Sequence, residues 1–510
     1  MSVDTTSAVL DVRNPADGSL VGSVPILDAR AVNEAAAELR MAQRGWEALG
    51  ADGRAVWLRR WRTWILEHVD ELTDLLQAET GKARPDAAIE PIASCELVSY
   101  YADHAAAFLA DENVKPASPI SLPKKLTKVY SPYPVVGIIT PWNFPITLFL
   151  MDAAPALAAG CAVLSKSSEE TPLACARLIE GWHEIGAPPV IANVTGLGDT
   201  GAAVVDAADY VQFTGSTATG RKIGVRCAEQ LKPYSLELGG KDPAIVLADA
   251  DLDRAVNGIA WGGLFNAGQV CISVERVYVE APVYDEFVER LQKKVAGLSQ
   301  GVAKGDDVGA MVTAQQVDIA DRHVREAIAD GARVLTGGSR GSSGNFFAPT
   351  VLVDVDHSMS CMTEETFGPT IPVMKVADED EAVRMANDSP YGLSATVWTG
   401  DVDRGQRVAR RLEAGAVNIN DVFSNLFAAP LPHSGWKESG VGARLGGAYG
   451  VHKYCKVQAV TAPRIPTLSN ELTWYPYSAR RTALAGRVMR AMAGRGLRQR
   501  LGLRTKETGR

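Results

Sequence analysis

Short apolar runs alternate with helical stretches from about residue 133 onward. Five of these runs predict buried strands, because they are short, continuous and rich in β-branched residues; they lie at 135–139, 160–164, 190–194, 210–213 and 244–247. Helical stretches separate most of them. A strand–helix–strand rhythm of this kind predicts a parallel sheet with helices on both faces.

A second series of the same kind extends from about residue 275 to 420, with strand-like runs at 276–279 and 416–419. The first third of the chain is helical in character. Residues 54–78 place apolar side chains at helical spacing on one face: Leu58, Trp61, Ile65, Leu72 and Leu76. We interpret this stripe as a helix packed on a core, and the whole chain as an α/β protein.

Composition narrows the class of protein. The chain has 510 residues, of which 46% are hydrophobic, and it carries 52 Lys and Arg against 60 Asp and Glu, a net charge of −8. This length and apolar fraction are typical of a globular protein of two or three domains. The acidic balance disfavours a dedicated nucleic-acid binder, which usually has a basic excess.

The cysteine pattern bears on the compartment. Seven cysteines are scattered along the chain, without a CxxC pair or a Cys/His cluster at metal-ligand spacing. We therefore expect no disulfide framework and no metal site, and a reducing cytoplasm as the setting. The N-terminal residues show no basic segment followed by an apolar run, so we expect no signal peptide.

The C-terminal end has a different charge from the rest. From Arg480 onward there are ten Lys or Arg residues and one acid, Glu507. A solvated basic tail with a short helix around Leu484, Val488 and Met492 is the favoured interpretation, and no membrane partner is expected. A membrane-surface or partner-binding role is the alternative.

Two glycine-rich turns follow predicted strands. Residues 196–201 match GxGxxG, and the second turn is the FTGS segment at 213–216. Lys166 and Glu169 follow another strand and supply a cation and a carboxylate suited to ribose. Each feature alone is compatible with an ordinary turn or a solvated charge. Together they predict a dinucleotide at the C-terminal ends of parallel strands.

One cysteine stands out by its surroundings. Cys271 ends the segment NAGQVC, Glu237 begins ELGGKDP, and Asn143 lies in PWNFP at the end of a predicted strand. A lone cysteine is more often an inert core residue, and we interpret the other six in that way. A nucleophile, a general base and an amide donor are the minimum parts for acyl chemistry through a thioester.

These segments carry a family resemblance. PWNFP, FTGS, ELGGKDP, GQVC and EETFGP occur in the order and rough spacing of the aldehyde dehydrogenase superfamily, and the likeness extends from about residue 12 to 460. The nearest resemblance within it is to bacterial succinate-semialdehyde dehydrogenase-like proteins that do not acylate coenzyme A. The resemblance implies oxidation of an aldehyde to the acid through a cysteine thiohemiacetal and thioester, with NAD as the cofactor and NADP as the alternative.

The resemblance also implies roles for individual residues. Cys271 is then the nucleophile, Glu237 the base for the deacylating water, and Asn143, with the Cys271 backbone N–H, the oxyanion hole. The implied cofactor-binding positions are Thr140, Trp142, Lys166, Glu169, Gly198, Gly215, Ser216, Leu238, Glu365 and Phe367. Glu365 and Phe367 correspond to residues that hold the nicotinamide end. Because Glu169 would oppose a 2′-phosphate, we expect NAD to be preferred over NADP.

The implied architecture is an aldehyde dehydrogenase-like α/β fold with three parts. A Rossmann-type NAD(P)-binding domain is expected at 1–113 and 133–238, and a catalytic domain at 239–450. Oligomerisation segments are expected at 114–132, as a β-hairpin, and at 451–466, with the basic tail at 467–510. The resemblance implies a homodimer or homotetramer that acts on a small aldehyde substrate and binds no nucleic acid.

The substrate position departs from the succinate-semialdehyde pattern. In family members that use that substrate, an Arg stands eight positions after the motif Asn, whereas this chain has Met151, with Leu148 and Phe149 nearby. We therefore expect an apolar aldehyde, because burial of a carboxylate without a cation is costly. Succinate semialdehyde remains the alternative substrate.

Three rival functions account for fewer residues. A coenzyme A-acylating enzyme would generally lack the Glu that matches Glu237. A non-enzymatic role would tolerate loss of Cys271, Glu237 or Asn143, and all three are present. A thioesterase needs no nucleotide, so the two glycine turns and Lys166 would have no role.

Overall fold

The computed structural model describes residues 8–118, 121–467, 469–471, 474–494 and 497–501. The chain separates into two compact units. The first consists of Met1–Phe108 and Pro132–Tyr454, and the second of Leu109–Ser131 and Cys455–Arg510. No helix among the described residues is long and apolar enough to cross a membrane.

The strands are, in chain order, β1 Val9–Arg13, β2 Leu20–Pro25, β3 Glu112–Val114, β4 Lys124–Pro132, β5 Val135–Ile139, β6 Ala162–Lys166, β7 Ile191–Asn193, β8 Tyr210–Thr214, β9 Tyr234–Glu237, β10 Asp242–Val246, β11 Val274–Glu280, β12 Arg333–Thr336, β13 Thr350–Val353, β14 Thr370–Val376, β15 Tyr391–Gly392, β16 Ser394–Trp398, β17 Ala416–Ile419, β18 Pro432–His433, β19 Trp436–Lys437, β20 Gly440–Val441, β21 Arg444–Leu445 and β22 Cys455–Pro463.

The helices are α1 Ala29–Ala48, α2 Gly50–Glu67, α3 Val69–Thr80, α4 Arg84–Phe108, α5 Pro145–Ala159, α6 Leu173–Glu184, α7 Gly198–Ala207, α8 Thr217–Glu229, α9 Leu252–Leu264, α10 Tyr284–Ala296, α11 Ala314–Ala329, α12 Ser360–Thr363, α13 Glu379–Asn387, α14 Val402–Ala409, α15 Ser424–Phe427, α16 Ala448–His452, α17 Ala479–Ala493 and α18 Leu497–Arg500.

The first unit contains two large sheets. The six-stranded sheet has the order β20-β9-β8-β5-β6-β7, in which β9 to β7 are parallel and β20 is antiparallel to β9. The seven-stranded sheet has the order β12-β13-β14-β11-β10-β16-β17, and within it β12 is antiparallel to β13. Both sheets are flanked by helices, so the fold is α/β as expected.

The connection between the sheets positions the site. Only residues 238–241 separate β9 of the first sheet from β10 of the second. The strands β5, β6, β8 and β9 are parallel, so their C-terminal ends share one edge of the first sheet. The candidate residues Asn143, Lys166, Gly215 and Glu237 all lie at or just beyond these ends. The topology therefore gathers the PWNFP, FTGS and ELGGKDP segments at one edge.

Helix α5 shows why the segment after PWNFP is buried. It begins with Pro145 at its first turn and ends at Gly160, whose φ of +104° suits glycine. Every residue of the helix from Leu148 to Ala159 is buried. A helix that is apolar on all sides requires contacts on all sides, and α5 accordingly packs against α2, α4 and α6.

Three details of the strand and helix predictions were wrong. The stripe at 54–78 is divided between α2 and α3, because the chain breaks at His68, whose ring stacks on Trp64 with centroids 4.1 Å apart. Gly160 caps α5, so the next strand starts at Ala162. The run at 244–247 lies in the second sheet, not the first, because β10 pairs with β11 and β16.

The second unit contains a three-stranded sheet of order β22-β4-β3. Strands β3 and β4 are antiparallel, and the Lys128 ammonium donates to the Glu112 carboxylate at 3.0 Å. Helix α17 starts after Ser478, whose hydroxyl accepts a hydrogen bond from the Arg481 backbone N–H at 3.2 Å. The predicted helix around Leu484, Val488 and Met492 is thus confirmed, while positions 502–510 of the basic tail, including Glu507, lie outside the described residues.

Candidate active site

A left-handed turn immediately precedes Cys271. Asn266, Ala267 and Gly268 have φ values of 54°, 54° and 73°. At Gly268, an added Cβ would lie 2.1 Å from the carbonyl oxygen of Gly368, so this position requires glycine. The Asp86 carboxylate accepts from the Asn266 backbone N–H at 2.9 Å. The turn that carries the thiol is therefore tightly constrained.

Asn143 is held against the same turn. The Asn143 side-chain amide donates to the Gln269 backbone carbonyl at 3.0 Å. The Asn143 backbone carbonyl accepts from the Asn266 side-chain amide at 3.2 Å. The amide has two N–H groups, so one is left after the bond to Gln269. The predicted oxyanion donor therefore lies beside the residues that lead to Cys271.

Cys271 differs from the other cysteines in exposure. It is half-buried, whereas Cys95, Cys161, Cys175, Cys227, Cys361 and Cys455 are buried, and none of the seven is in a disulfide. Loss of solvent raises the pKa of the Cys271 thiol to about 12, against an opposing effect of the Arg444 charge. The resting thiol is therefore protonated, and its reaction as a nucleophile requires a base.

Glu237 is a buried carboxyl at the end of β9. Among the described residues, neither of its carboxylate oxygens has a hydrogen-bond partner. Burial raises the pKa of Glu237 to about 8, although the Arg444 and Lys453 charges act to lower it. The His433 ring lies 3.7 Å away and is neutral, because burial and Arg444 lower its pKa to about 3. Glu237 thus titrates near neutrality, as a general base should.

A cavity of about 300 Å³ brings most of the predicted residues together. Its wall consists of Pro141, Trp142, Asn143, Leu148, Thr214, Gly215, Ser216, Leu238, Gly239, Cys271, Gln316, Ile319, Glu365 and Phe367. Eight of these were predicted from the sequence. Glu237 is not in the wall but directly precedes Leu238, which is. The wall contains no Lys or Arg.

The two glycines after Leu238 leave space for the Glu365 side chain and for the backbone of Cys271. An added Cβ at Gly239 would lie 2.5 Å from the Glu365 carboxylate, and one at Gly240 would lie 2.4 Å from the Cys271 carbonyl oxygen. The Gly240 backbone N–H donates to Glu365 at 3.0 Å. A side chain at either position would therefore clash with Glu365 or with the backbone of Cys271.

The EETFGP segment is fixed by a buried ion pair that the sequence interpretation missed. The Lys241 ammonium lies 2.7 Å from the Glu275 carboxylate. Glu275 also accepts from the backbone N–H groups of Thr366 and Phe367, at 2.8 and 2.7 Å. Phe367 packs edge-on against Trp142, with ring centroids 5.4 Å apart. These contacts hold Glu365 and Phe367 in the cavity wall.

The remaining predicted cofactor residues lie outside this cavity. Lys166 donates to Glu169 at 2.8 Å, and the backbone N–H of Thr140 donates to the Lys166 carbonyl at 3.2 Å. Glu169 lines a second cavity of about 620 Å³ together with Leu197, the residue before Gly198. Burial would raise the Glu169 pKa, but Lys166 outweighs that effect and the net pKa is lowered.

Polar groups near Lys166 that have no hydrogen-bond partner among the described residues fit a nucleotide. The hydroxyls of Thr140 and Ser167 are buried and have no partner among the described residues. Such groups are costly to leave unpaired. Ser167 directly follows Lys166 in the chain, and Thr140 is hydrogen-bonded to the Lys166 backbone. Helix α8 begins directly after Gly215 and Ser216, and a helix N-terminus favours phosphate. The residues present therefore suit the hydroxyls and phosphates of NAD(P).

A second buried ion pair was also missed by the sequence analysis. The Arg444 guanidinium donates to both Asp152 carboxylate oxygens, at 3.2 and 2.7 Å, and to the hydroxyl of Thr214 in the cavity wall. Lys453 lies 3.6 Å from the same carboxylate. Asp152 is the single charged residue of the otherwise apolar helix α5, and that position was the available signal. Its partner is 292 positions away, which no local pattern reveals.

Comparisons with known proteins agree with this geometry. The model of the aldehyde dehydrogenase family matches residues 2–460. The chain belongs to the aldehyde dehydrogenase family. It is therefore an oxidoreductase that oxidises an aldehyde with NAD(P), and this confirms the resemblance noted in its sequence.

Individual relatives of this aldehyde dehydrogenase differ in their named substrates. A Mycobacterium ulcerans protein, provisionally named an NADP(+) succinate-semialdehyde dehydrogenase, is 40% identical over 458 residues, which is 88% of this chain and 87% of the relative. A 4,4′-diapolycopene aldehyde oxidase of Methylomonas sp. is 38% identical, over 91% and 88% of the two chains. Staphylococcus aureus betaine aldehyde dehydrogenase with NAD+ superposes with a TM-score of 0.85 at 32% identity, over 91% and 93%.

The Arg444 charge gives a testable pH effect. Because Arg444 acts to lower the pKa of Glu237, Arg444→Met is expected to raise that pKa and to move the acidic limb of the kcat–pH profile upward by about one unit. The variant should also be less stable by about 3–5 kcal/mol, since Asp152 stays buried with its main partner removed. Stopped-flow rates across pH and thermal unfolding measure the two effects.

Arg276→Met is the matched control. Arg276 is equally buried but donates to backbone carbonyls, among them those of Lys241 and Ala386. Its replacement is expected to lower stability without moving the pH profile. If both variants shift the profile alike, the effect of Arg444 on Glu237 is only structural.

Proposed function

We propose that this aldehyde dehydrogenase oxidises an uncharged, apolar aldehyde with Cys271 as the nucleophile, Glu237 as the general base and Asn143 as an oxyanion donor. The observation that carries the proposal is the cavity wall, in which Cys271 and Asn143 meet Leu148 without any Lys or Arg. The Arg444 guanidinium, which is buried nearby, is committed to Asp152 and Thr214.

The pKa values support the division of roles. Glu237, with a pKa of about 8, is far more often ionised at neutral pH than the Cys271 thiol, with a pKa of about 12. Glu237 is therefore a group that can take a proton from the deacylating water, whereas the thiol proton of Cys271 passes through water to solvent as sulfur attacks the aldehyde carbon. The second N–H of Asn143 then meets the developing oxyanion, and one such donor is typically worth about 3 kcal/mol of barrier.

The later steps use the same groups. When bound, the oxidised nicotinamide ring of NAD(P) supplies a hydride acceptor and a positive charge. Glu365 and Phe367 would hold that end of the cofactor, and Gly215 and Ser216 its phosphates. The thioester that remains on Cys271 is hydrolysed by a water that Glu237 deprotonates, and the acid leaves.

The apolar substrate follows from the surroundings of the Asn143 side. Met151, at the position where succinate-semialdehyde-using family members have an Arg, is fully buried outside the cavity wall, whereas Leu148 lines the wall and offers no charge to a distal carboxylate. Phe144, next to Asn143, stacks on Phe265 with centroids 5.7 Å apart, and Phe265 contacts Trp261, which is 42% exposed. These rings form an aromatic cluster next to Asn143, which supports an apolar substrate.

A panel of aldehydes tests the substrate proposal. We expect kcat/KM to rise by roughly fourfold for each added CH₂ of a straight-chain aldehyde, and to be at least about tenfold lower for succinate semialdehyde than for the apolar aldehyde of equal length. Succinate semialdehyde, the substrate in the mycobacterial relative's name, is the alternative. A higher kcat/KM for it would refute the apolar assignment and leave the dehydrogenase activity intact.

The cofactor preference rests on Glu169. This carboxylate is ionised beside Lys166, so a 2′-phosphate would bring like charge against it, at a cost on the order of 1–3 kcal/mol. We expect the parent to prefer NAD, and Glu169→Ser to lower the NAD/NADP ratio of kcat/KM by about tenfold. Glu170→Ser, which removes the neighbouring carboxylate, is the control. A parent that prefers NADP would show that Glu169 does not set the choice.

The assembly and compartment belong to the same proposal. Strand β22 is mostly exposed, with Val457 and Val460 57% and 40% accessible, which supports subunit pairing through segments 114–132 and 451–466 into a homodimer or homotetramer. Free cysteines support a cytoplasmic setting. We retain the three-part division into nucleotide-binding, catalytic and oligomerisation segments as a prediction.

A further inference from the structure

Within the described residues, helix α17 carries an apolar stripe that is exposed. Leu484, Val488 and Met492 are spaced four residues apart and so share one face. They are 52%, 37% and 40% exposed, and Met489 beside them is 49% exposed. None of the residues of α17 is buried. A helix of this length is marginal in water on its own, so its apolar face requires a partner.

Arginine side chains lie next to the apolar stripe of α17. Arg480, Arg487 and Arg490 are exposed and lie together on the side of the helix next to the stripe. Within the part of the chain that the structure describes, they form no ion pair with an acidic side chain. Arg481 is partly buried and adds a fourth positive charge at the N-terminal end of the apolar face, three residues before Leu484. The helix is therefore amphipathic, with arginines beside an apolar face.

Aromatic side chains precede the helix. Trp474, Tyr475 and Tyr477 are 57%, 76% and 65% exposed, and the two tyrosine rings lie 4.4 Å apart. Tyr and Trp combine an apolar body with a polar tip and concentrate at the boundary between lipid and water. Three such exposed residues therefore lie directly before a basic amphipathic helix in the chain.

The distribution of charge along the chain helps to distinguish nucleic acid from lipid as the partner of the helix. The whole chain has 52 Lys and Arg against 60 Asp and Glu, yet ten of the basic residues and one of the acidic residues lie after residue 479. The remainder is strongly acidic, so an anionic surface repels it and attracts only this end. Nucleic acid would satisfy the arginines but not the stripe of Leu484, Val488 and Met492. An anionic lipid surface satisfies both.

We propose that residues 474–494 bind the surface of an anionic lipid membrane, with α17 lying in the plane of the headgroups. The helix is about 22 Å long at 1.5 Å per residue, and it is among those too short and polar to cross a membrane. Its apolar stripe enters the lipid while its arginines contact phosphate groups. The proposal extends beyond aldehyde oxidation and does not depend on which aldehyde is used.

Vesicle flotation of the full-length protein tests the proposal. We expect binding to phosphatidylcholine vesicles that contain about a third phosphatidylglycerol, weak binding to phosphatidylcholine alone, and release by high salt. The triple variants Arg480→Ser/Arg487→Ser/Arg490→Ser and Leu484→Gln/Val488→Gln/Met492→Gln should each lower the partition constant at least tenfold, and up to about a hundredfold.

A matched control removes the same charge elsewhere. Arg30→Ser/Arg325→Ser/Arg333→Ser replaces three exposed arginines of the first unit and should bind vesicles like the parent. All three variants should keep the parent's turnover of a short water-soluble aldehyde and its mass by light scattering. Equal binding to neutral vesicles, no loss in either tail variant, or a changed assembly mass without vesicle binding would each overturn the proposal. The last result would show that the helix covers a second copy of the chain.

Discussion

Replacement of Cys271 by Ala is expected to lower kcat for aldehyde oxidation by roughly four orders of magnitude or more. The reason is that the variant has no sulfur to form the thioester, and Asn143 alone cannot retain the substrate covalently. Cofactor binding should be nearly unchanged, since Glu365, Phe367 and the α8 N-terminus are untouched. Steady-state turnover and calorimetric titration with NAD measure the two quantities.

Two controls separate the nucleophile from a general effect of losing a thiol. Cys95→Ala removes a buried cysteine of α4 and should leave turnover close to that of the parent. Iodoacetamide should label Cys271 before the six buried cysteines, and the parent should lose activity in step with that label. Turnover that survives in Cys271→Ala would end the thioester mechanism.

The residues with chemical roles could be predicted because each lies in a short motif. PWNFP, FTGS and ELGGKDP lie at the C-terminal edge of the first sheet, while NAGQVC and EETFGP precede the parallel strands β11 and β14 of the second sheet, whose strand β10 begins just after β9. This is why Asn143, Cys271, Glu365 and Phe367 share one cavity. The order of the strands within each sheet was not predicted, because strand pairing depends on contacts between distant segments.

The supporting residues could not be predicted in the same way. In the buried pairs Asp152–Arg444 and Lys241–Glu275, the lone charge of Asp152 in an apolar helix does not reveal its partner, and the other three residues look like ordinary surface charges in the sequence. Their burial is a property of the folded chain, and a buried charge is tolerated only with its partner present. The break between α2 and α3 at His68 was not predicted either, because the helical spacing of the apolar residues continues across it.

The second large effect is expected at Glu237. Glu237→Gln should still release about one equivalent of reduced cofactor per site in a burst and then stall, with a steady-state rate lower by roughly 10²–10⁴-fold. The amide keeps the shape of the carboxyl group but cannot deprotonate the deacylating water. Stopped-flow absorbance of the reduced cofactor resolves the burst from the later phase.

The pH dependence supplies an independent check on Glu237. Its pKa is raised to about 8, so the carboxylate is lost as the pH falls through that value, and the parent's steady-state rate should fall with it. This limb should be absent in Glu237→Gln, while Glu237→Asp, which keeps a carboxylate with a shorter reach, should recover part of the rate. If the burst vanishes together with the steady state, Glu237 acts before deacylation, as the base that activates Cys271. A burst and a steady state like those of the parent would remove Glu237 from the mechanism.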